Sequence, residues 1–232
     1  MKLPICKRLL ACAAMVPEHA RVADVGTDHG YLPIYLLAQG LCTRVIASDL
    51  REKPLQTARR NAGLYGTAEQ TDFVLSDGLQ AIAKDSFDTL ICAGMGGDCI
   101  AGILDAAPWL RSEAYTLILQ PQSSGNDLRR YLGAEGFCIE EERLVQDGRF
   151  LYAVMRVRYG GGRALSPGEQ YASPALLASA SPLLLPYLTR IERSLRQTVA
   201  GISEGSTEDD RRKLAYYSAA LKEISEFLAS RV

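Results

Sequence analysis

Short apolar runs that end in an acid or a glycine recur along the first two thirds of the chain. Val22-Ala-Asp-Val25 leads into Gly26-Thr-Asp-His-Gly30 and then into Tyr31-Leu-Pro-Ile-Tyr-Leu-Leu37, which has helical spacing. Arg44-Val-Ile-Ala-Ser-Asp49, Phe73-Val-Leu-Ser-Asp77, Phe87-Asp-Thr-Leu-Ile-Cys-Ala93 and Tyr115-Thr-Leu-Ile-Leu119 repeat the pattern. Runs of this length alternating with helical stretches predict an α/β fold. Its open parallel sheet should bind ligands along the carboxyl edge. Residues 136–145 and 149–157 flank Asp147-Gly148, a strong hairpin signal, so the sheet should close with an antiparallel pair.

Beyond Gly160-Gly-Gly162 the pattern changes. Leu184, Leu188, Ile191, Leu195 and Ile202, then Leu214, Tyr217, Leu221, Ile224 and Leu228, fall largely at three- and four-residue spacing. The polar, acidic stretch 201–210 separates them, which predicts an antiparallel helical hairpin with a coiled-coil seam. The expected units are therefore a ligand-binding sheet domain over 1–160 and a helical hairpin over 161–232. At the amino terminus a short amphipathic helix should turn Leu3, Leu10 and Ala14 inward.

The 232 residues carry a net charge of −1, which gives no overall sign of a polyanion partner. The hairpin still offers Arg190, Arg193 and Arg196 as a face that could track phosphates. The same residues suit a solvated face with ordinary ion pairs. Six cysteines without a C-x-x-C pair, and two histidines, argue against a metal site and fit a reducing cytoplasm. Cys92 reads as a small core residue of the fourth strand. No segment approaches the roughly 20 apolar residues of a membrane span.

The turn after the first strand carries the chemistry. A dinucleotide fingerprint places glycine where Asp28 stands, and a carboxylate there would face a pyrophosphate badly. It suits a cationic ligand such as S-adenosylmethionine (SAM), with Asp24, Gly26, Thr27 and His29 contributing to the same turn. Asp49, about twenty residues on, is placed for ribose hydroxyls. Asp77 with Gly78 suits an adenine ring, and Gly94, Met95 and Gly96 form a glycine-bearing exit from the fourth strand. A closing hairpin after five parallel strands is also how SAM-dependent methyltransferase sheets usually end.

Four segments are similar to a bacterial tRNA adenine-N1 methyltransferase family that modifies adenine 22 in the D-arm. They are Ala23-Asp-Val-Gly-Thr-Asp-His-Gly-Tyr-Leu-Pro33, Ser76-Asp-Gly78, Ala93-Gly-Met-Gly-Gly97 and Leu117-Ile-Leu-Gln-Pro121. The resemblance implies a class I, Rossmann-like methyltransferase fold with a coiled-coil carboxyl-terminal domain, SAM as cofactor and tRNA as partner. It departs at Gln122, where the family commonly has Asn, at Lys53, where Gly is usual, and at Gly30, often Ala.

Adenine N1 carries an in-plane lone pair, so transfer can rest largely on alignment. Asp28 is the expected catalytic carboxylate, with Gln120 and Gln122 near the acceptor. Tyr31 could stack on the target base, while His29 should bond to backbone at the helix start. A SAM-dependent methyltransferase of a small molecule or protein would share every cofactor residue. A non-catalytic SAM- or RNA-binding protein is the reading from another class. A monomer or weak dimer is expected.

Overall fold

A computed structural model describes residues 3–202 and 207–231; residues 203–206, inside the expected link between the long helices, lie outside the described residues. The chain runs α1 (Lys7–Ala13), β1 (Val22–Val25), α2 (Tyr31–Ala38), β2 (Val45–Asp49), α3 (Glu52–Leu64), β3 (Thr71–Leu75), β4 (Thr89–Gly96) and α4 (Gly97–Asp105). It continues with β5 (Thr116–Ser123), α5 (Gly125–Ala134), β6 (Phe137–Asp147), β7 (Phe150–Tyr159), α6 (Pro174–Leu177), α7 (Leu184–Ile202) and α8 (Glu208–Ala229).

The strands form one seven-stranded sheet in the order β3-β2-β1-β4-β5-β7-β6. β1 pairs in parallel with β2 and β4, and β4 with β5. β7 runs antiparallel to both β5 and β6. Chain order reverses between β1 and β4, so the loops after these strands diverge and leave a crevice at their carboxyl ends. Leu90, Ile91, Leu117, Ile118 and Leu119 are wholly buried in the central strands. Side chains of this kind contribute about 1.5–3 kcal/mol each when removed from water.

Three details differ from the sequence expectation. β3 starts at Thr71 rather than Phe73. β4 does not stop at Ala93: it continues to Gly96 beside β5, with register shifts at Met95. The glycine-bearing exit is thus a bulged strand end, which Gly94 permits at φ 85°. In α1 the buried residues are Cys12 and Ala13, while Ala14, just past the end of the short helix, is exposed.

α7 and α8 pack against each other, burying Leu184, Leu188 and Leu195 on one and Ala220 and Ile224 on the other. Ser225 donates to Glu192 across the pair at 2.7 Å. Thr207 and Asp210 cap the start of α8 reciprocally. The apolar core is continuous from the sheet into this pair. At the junction the buried Arg129 of α5 meets buried Glu142 of β6, and its guanidinium also donates to the Gln170 carbonyl at 3.2 Å and to the Tyr187 hydroxyl at 3.4 Å. Packing therefore bridges the position near Gly160 where the sequence pattern changes.

Candidate active site

The turn after β1 is held by β2 and by α3. The amides of Gly26 and Thr27 both donate to the Ser48 carbonyl at 2.9 Å. The Asn61 side chain of α3 donates to the His29 carbonyl at 2.9 Å. Gly26 lies at φ 77°, a left-handed conformation that favours glycine; a Cβ there would also stand 2.7 Å from the Met95 Cε, so that the end of the Met95 side chain would have to move. Asp28 also takes a left-handed backbone (φ 52°), which aspartate tolerates better than most residues. Its side chain is 61% exposed and stands 3.5 Å from the His29 imidazole. His29 therefore faces Asp28 and the Tyr31 ring rather than bonding to backbone, with ring centroids 5.8 Å apart.

The strand-end acids differ in environment. Asp24 is buried, and desolvation pushes its carboxyl up to about 6; the negative Asp49 adds to the rise, while Thr27 and Arg8 oppose it. Asp49 accepts the Asp28 amide at 3.2 Å and the Arg51 amide at 3.0 Å, so one carboxylate ties two loops together. Asp77 is exposed at a turn organised by Ser76, whose hydroxyl donates to the Gly78 carbonyl at 3.0 Å and accepts from the Ala81 amide at 3.1 Å.

These residues surround a cavity of about 480 Å³ at the carboxyl edge of β1, β2 and β4. Asp24, Gly26, Thr27, Asp28, His29, Tyr31, Asp49, Asp77, Gly78, Gly94, Met95 and Gln122 all line it. Two of the expected catalytic and cofactor-binding residues do not. Gly96 ends β4 as the residue just before α4, and a Cβ there would stand 3.3 Å from the Ser123 hydroxyl. Gln120 is wholly buried with its amide engaged: its oxygen accepts from Arg8 at 2.6 Å and from the Gly94 amide at 3.1 Å, and its nitrogen donates to the Pro121 carbonyl at 2.7 Å. With both ends committed, Gln120 holds the cavity wall and leaves nothing for an acceptor. Arg190, Arg193 and Arg196 are exposed on α7, away from the cavity, and Arg196 is paired with Glu192 at 2.7 Å.

The cavity also recruits residues that no motif marks. Arg8 reaches from α1 over Gly94, where a Cβ would lie 3.0 Å from its guanidinium. No carboxylate pairs with it among the described residues. Ile103 of α4 lines the cavity as well, as does Leu50, which is 64% exposed. Its signal was an apolar residue directly after a strand-end acid; Arg8 carried none.

The donor set fits SAM. The volume falls within the usual range for small-molecule sites, about 300–1,000 Å³. The glycine turn lets backbone approach a ligand, and buried Asp24 near Arg8 offers opposite charges to an amino-acid end. Asp49 and Asp77 stand where a nucleoside would present hydroxyl and amino donors, between the apolar Leu50 and Ile103.

A model of the methyltransferase-domain family matches residues 5–155. The tRNA (adenine(22)-N(1))-methyltransferase of Bacillus subtilis is 28% identical across 98% of both chains. The crystal structure of the B. subtilis m1A22 tRNA methyltransferase superposes with a TM-score of 0.86 over 98% of this chain and 100% of that one, at 28% identity. The proposed tRNA (m1A22) methyltransferase of Streptococcus pneumoniae, solved with S-adenosyl-L-methionine, gives 0.82 at 30% identity, covering 97% of this chain and 99% of that one. With a methyltransferase domain over most of its length and such relatives matching it nearly end to end, the chain belongs to the tRNA (adenine-22-N1)-methyltransferase family.

Proposed function

We propose that the protein methylates N1 of adenine 22 in the D-arm of tRNA, using SAM, in the cytoplasm and as a monomer or weak dimer. The observation that carries the reading is a cavity with strand-end acids at its nucleoside end and the opposite charges of Asp24 and Arg8, unpaired with each other, in the same lining. It opens at Gln122 and Asp28. When bound, SAM supplies an electrophilic methyl group.

The residues of this chain do the rest by placement. Asp49 accepts from ribose hydroxyls and Asp77 from the adenine amino group, while Leu50 and Ile103 cover the ring. Asp24 balances the ammonium of the methionine end and Arg8 its carboxylate. Asp28 stands at the mouth, where it accepts a hydrogen bond from the amino group of the target adenine. Its negative charge favours the cationic ring that forms when N1 gains a methyl group. The methylated ring stays cationic until its amino group loses a proton to solvent. Gln122 faces the same mouth one methylene longer than the asparagine common in the family, so it contacts the acceptor from further out. N1 lies on the pairing edge, and exposing it costs on the order of a few kcal/mol, which contacts elsewhere on the RNA must offset. We assign part of that offset to the exposed arginines of α7.

Single-turnover transfer from labelled SAM to an unmodified tRNA transcript tests the reading, with N1-methyladenine identified by mass spectrometry. Asp28→Asn should lower the rate at least tenfold while leaving SAM affinity within a few-fold. Charge reversal of Arg190, Arg193 and Arg196 should weaken tRNA binding and reduce its salt dependence. SAM binding without any label entering tRNA would overturn the assignment.

A further inference from the structure

Beside the cofactor cavity runs a groove of about 450 Å³, between the tip of the β6–β7 hairpin and α7. Gln122 lines both, so the groove adjoins the cofactor cavity at that residue. Its walls are aromatic: Phe150 and Tyr152 from β7, Tyr171, and Tyr187 from α7, with Arg190 at the rim. None of the residues lining it is acidic, whereas the cofactor cavity holds four aspartates. With no carboxylate in its lining, the adjoining groove sets no like charge against a polyanion.

The hairpin tip adds a second observation. Phe150 is 44% exposed, although a turn built on Asp147-Gly148 has no need of a large apolar side chain. Its ring lies 6.1 Å from Tyr152, beneath the Arg149 guanidinium at 5.0 Å. Tyr152 in turn lies 5.9 Å from the guanidinium of Arg8, which lines the cofactor cavity. The sequence of groups from cavity to tip is guanidinium, ring, ring, guanidinium. Flat faces flanked by cations are how proteins hold unpaired nucleotides, because every base offers a π-face.

We infer that this groove receives the unpaired RNA strand flanking the target adenine, with Phe150 stacked on a neighbouring base and Arg190 on its phosphate. The inference rests on the tRNA reading above. It accounts for how an extruded adenine is kept from closing back into its helix: the neighbouring base is held as well.

The test uses the full-length protein and a tRNA transcript carrying 2-aminopurine next to the target adenine, on either side in turn. Wild-type protein should change its fluorescence on binding. Phe150→Ala should abolish that change and weaken tRNA binding about tenfold, the common scale for one base–aromatic stack, with the salt slope preserved. Phe150→Trp should restore both. Arg190→Gln should instead lower the salt slope by about 0.7–0.9, the share of one phosphate contact. SAM affinity and melting temperature serve as folding controls. If Phe150→Ala keeps wild-type RNA affinity and fluorescence response while the wild-type protein methylates tRNA, the groove inference fails and the substrate reading stands. If the wild-type protein transfers no methyl to tRNA, both fall.

Discussion

Asp24 should make cofactor affinity depend on pH. It is 4% exposed, and burial raises its carboxyl to about 6, well above the ordinary carboxylate range. Binding a cationic methionine end next to Asp24 favours the ionised form and returns the group toward its usual range. The free protein then holds a proton that the complex must release, so acid opposes binding. Above pH 7 affinity should be level. Between pH 7 and pH 5 it should fall about tenfold, or about 1.4 kcal/mol. Folding stability has the opposite sense. The folded chain binds more protons than the unfolded chain between about pH 4 and pH 6, so stability falls as pH rises through that window. The deficit, at most about 3 kcal/mol, persists above it. Asp24→Asn cannot ionise: its SAM affinity should be weaker at pH 7 and flat from pH 5 to 7. Without SAM it should melt above wild type at pH 8. Calorimetry in buffers of different ionisation heat measures affinity and proton release together. A flat wild-type profile, or the same slope in Asp24→Asn, would refute the assignment of this titration to Asp24.

Arg8→Met keeps the apolar stem but removes the charge. It should weaken SAM binding by about 10- to 100-fold, the scale of a charged hydrogen bond, yet spare methylthioadenosine, which lacks the carboxylate. Equal losses for the two ligands would mean that Arg8 only shapes the wall. Gly30→Ala restores the residue common in the family, but here φ is 73° and the new Cβ would stand 2.9 Å from the Ala58 Cβ. It should cost about 1–3 kcal/mol in urea denaturation, and an unchanged midpoint would show that α3 yields freely. Arg129→Met leaves Glu142 buried and uncompensated, which should cost about 3–5 kcal/mol, with much of the loss recovered in Arg129→Met/Glu142→Leu. No recovery in the double variant would place the loss in packing rather than charge.

Much of the fold was legible because strand periodicity and strand-end chemistry are local. A run such as Leu117-Ile-Leu119 is buried on both faces, and that double burial requires an apolar residue at every position. The aspartates and glycines at strand ends marked the cavity for a similar reason: the backbone must turn there, and the polar ends of parallel strands converge on one edge. β1 was readable to the residue, and the Asp147-Gly148 hairpin to within two. The amino-terminal helix was not. Its seven residues span barely two turns, and which of them meets the sheet depends on the docking angle of α1 rather than on its own period.

The sequence by itself determined the sheet, the acid-and-glycine edge and the kind of ligand that edge accepts, since each depends on neighbours a few residues apart. Tertiary structure alone decided which side chains complete the site. Gln120 and Gln122 are two positions apart on β5, yet one is wholly buried beneath Arg8 and the other is exposed at the mouth. That difference follows from where the strand end lies against β4 and α1. Arg8 itself is 112 positions from the amide it holds. No local pattern marks a contact across that separation, because it exists only once the sheet order has brought α1 over the end of β5.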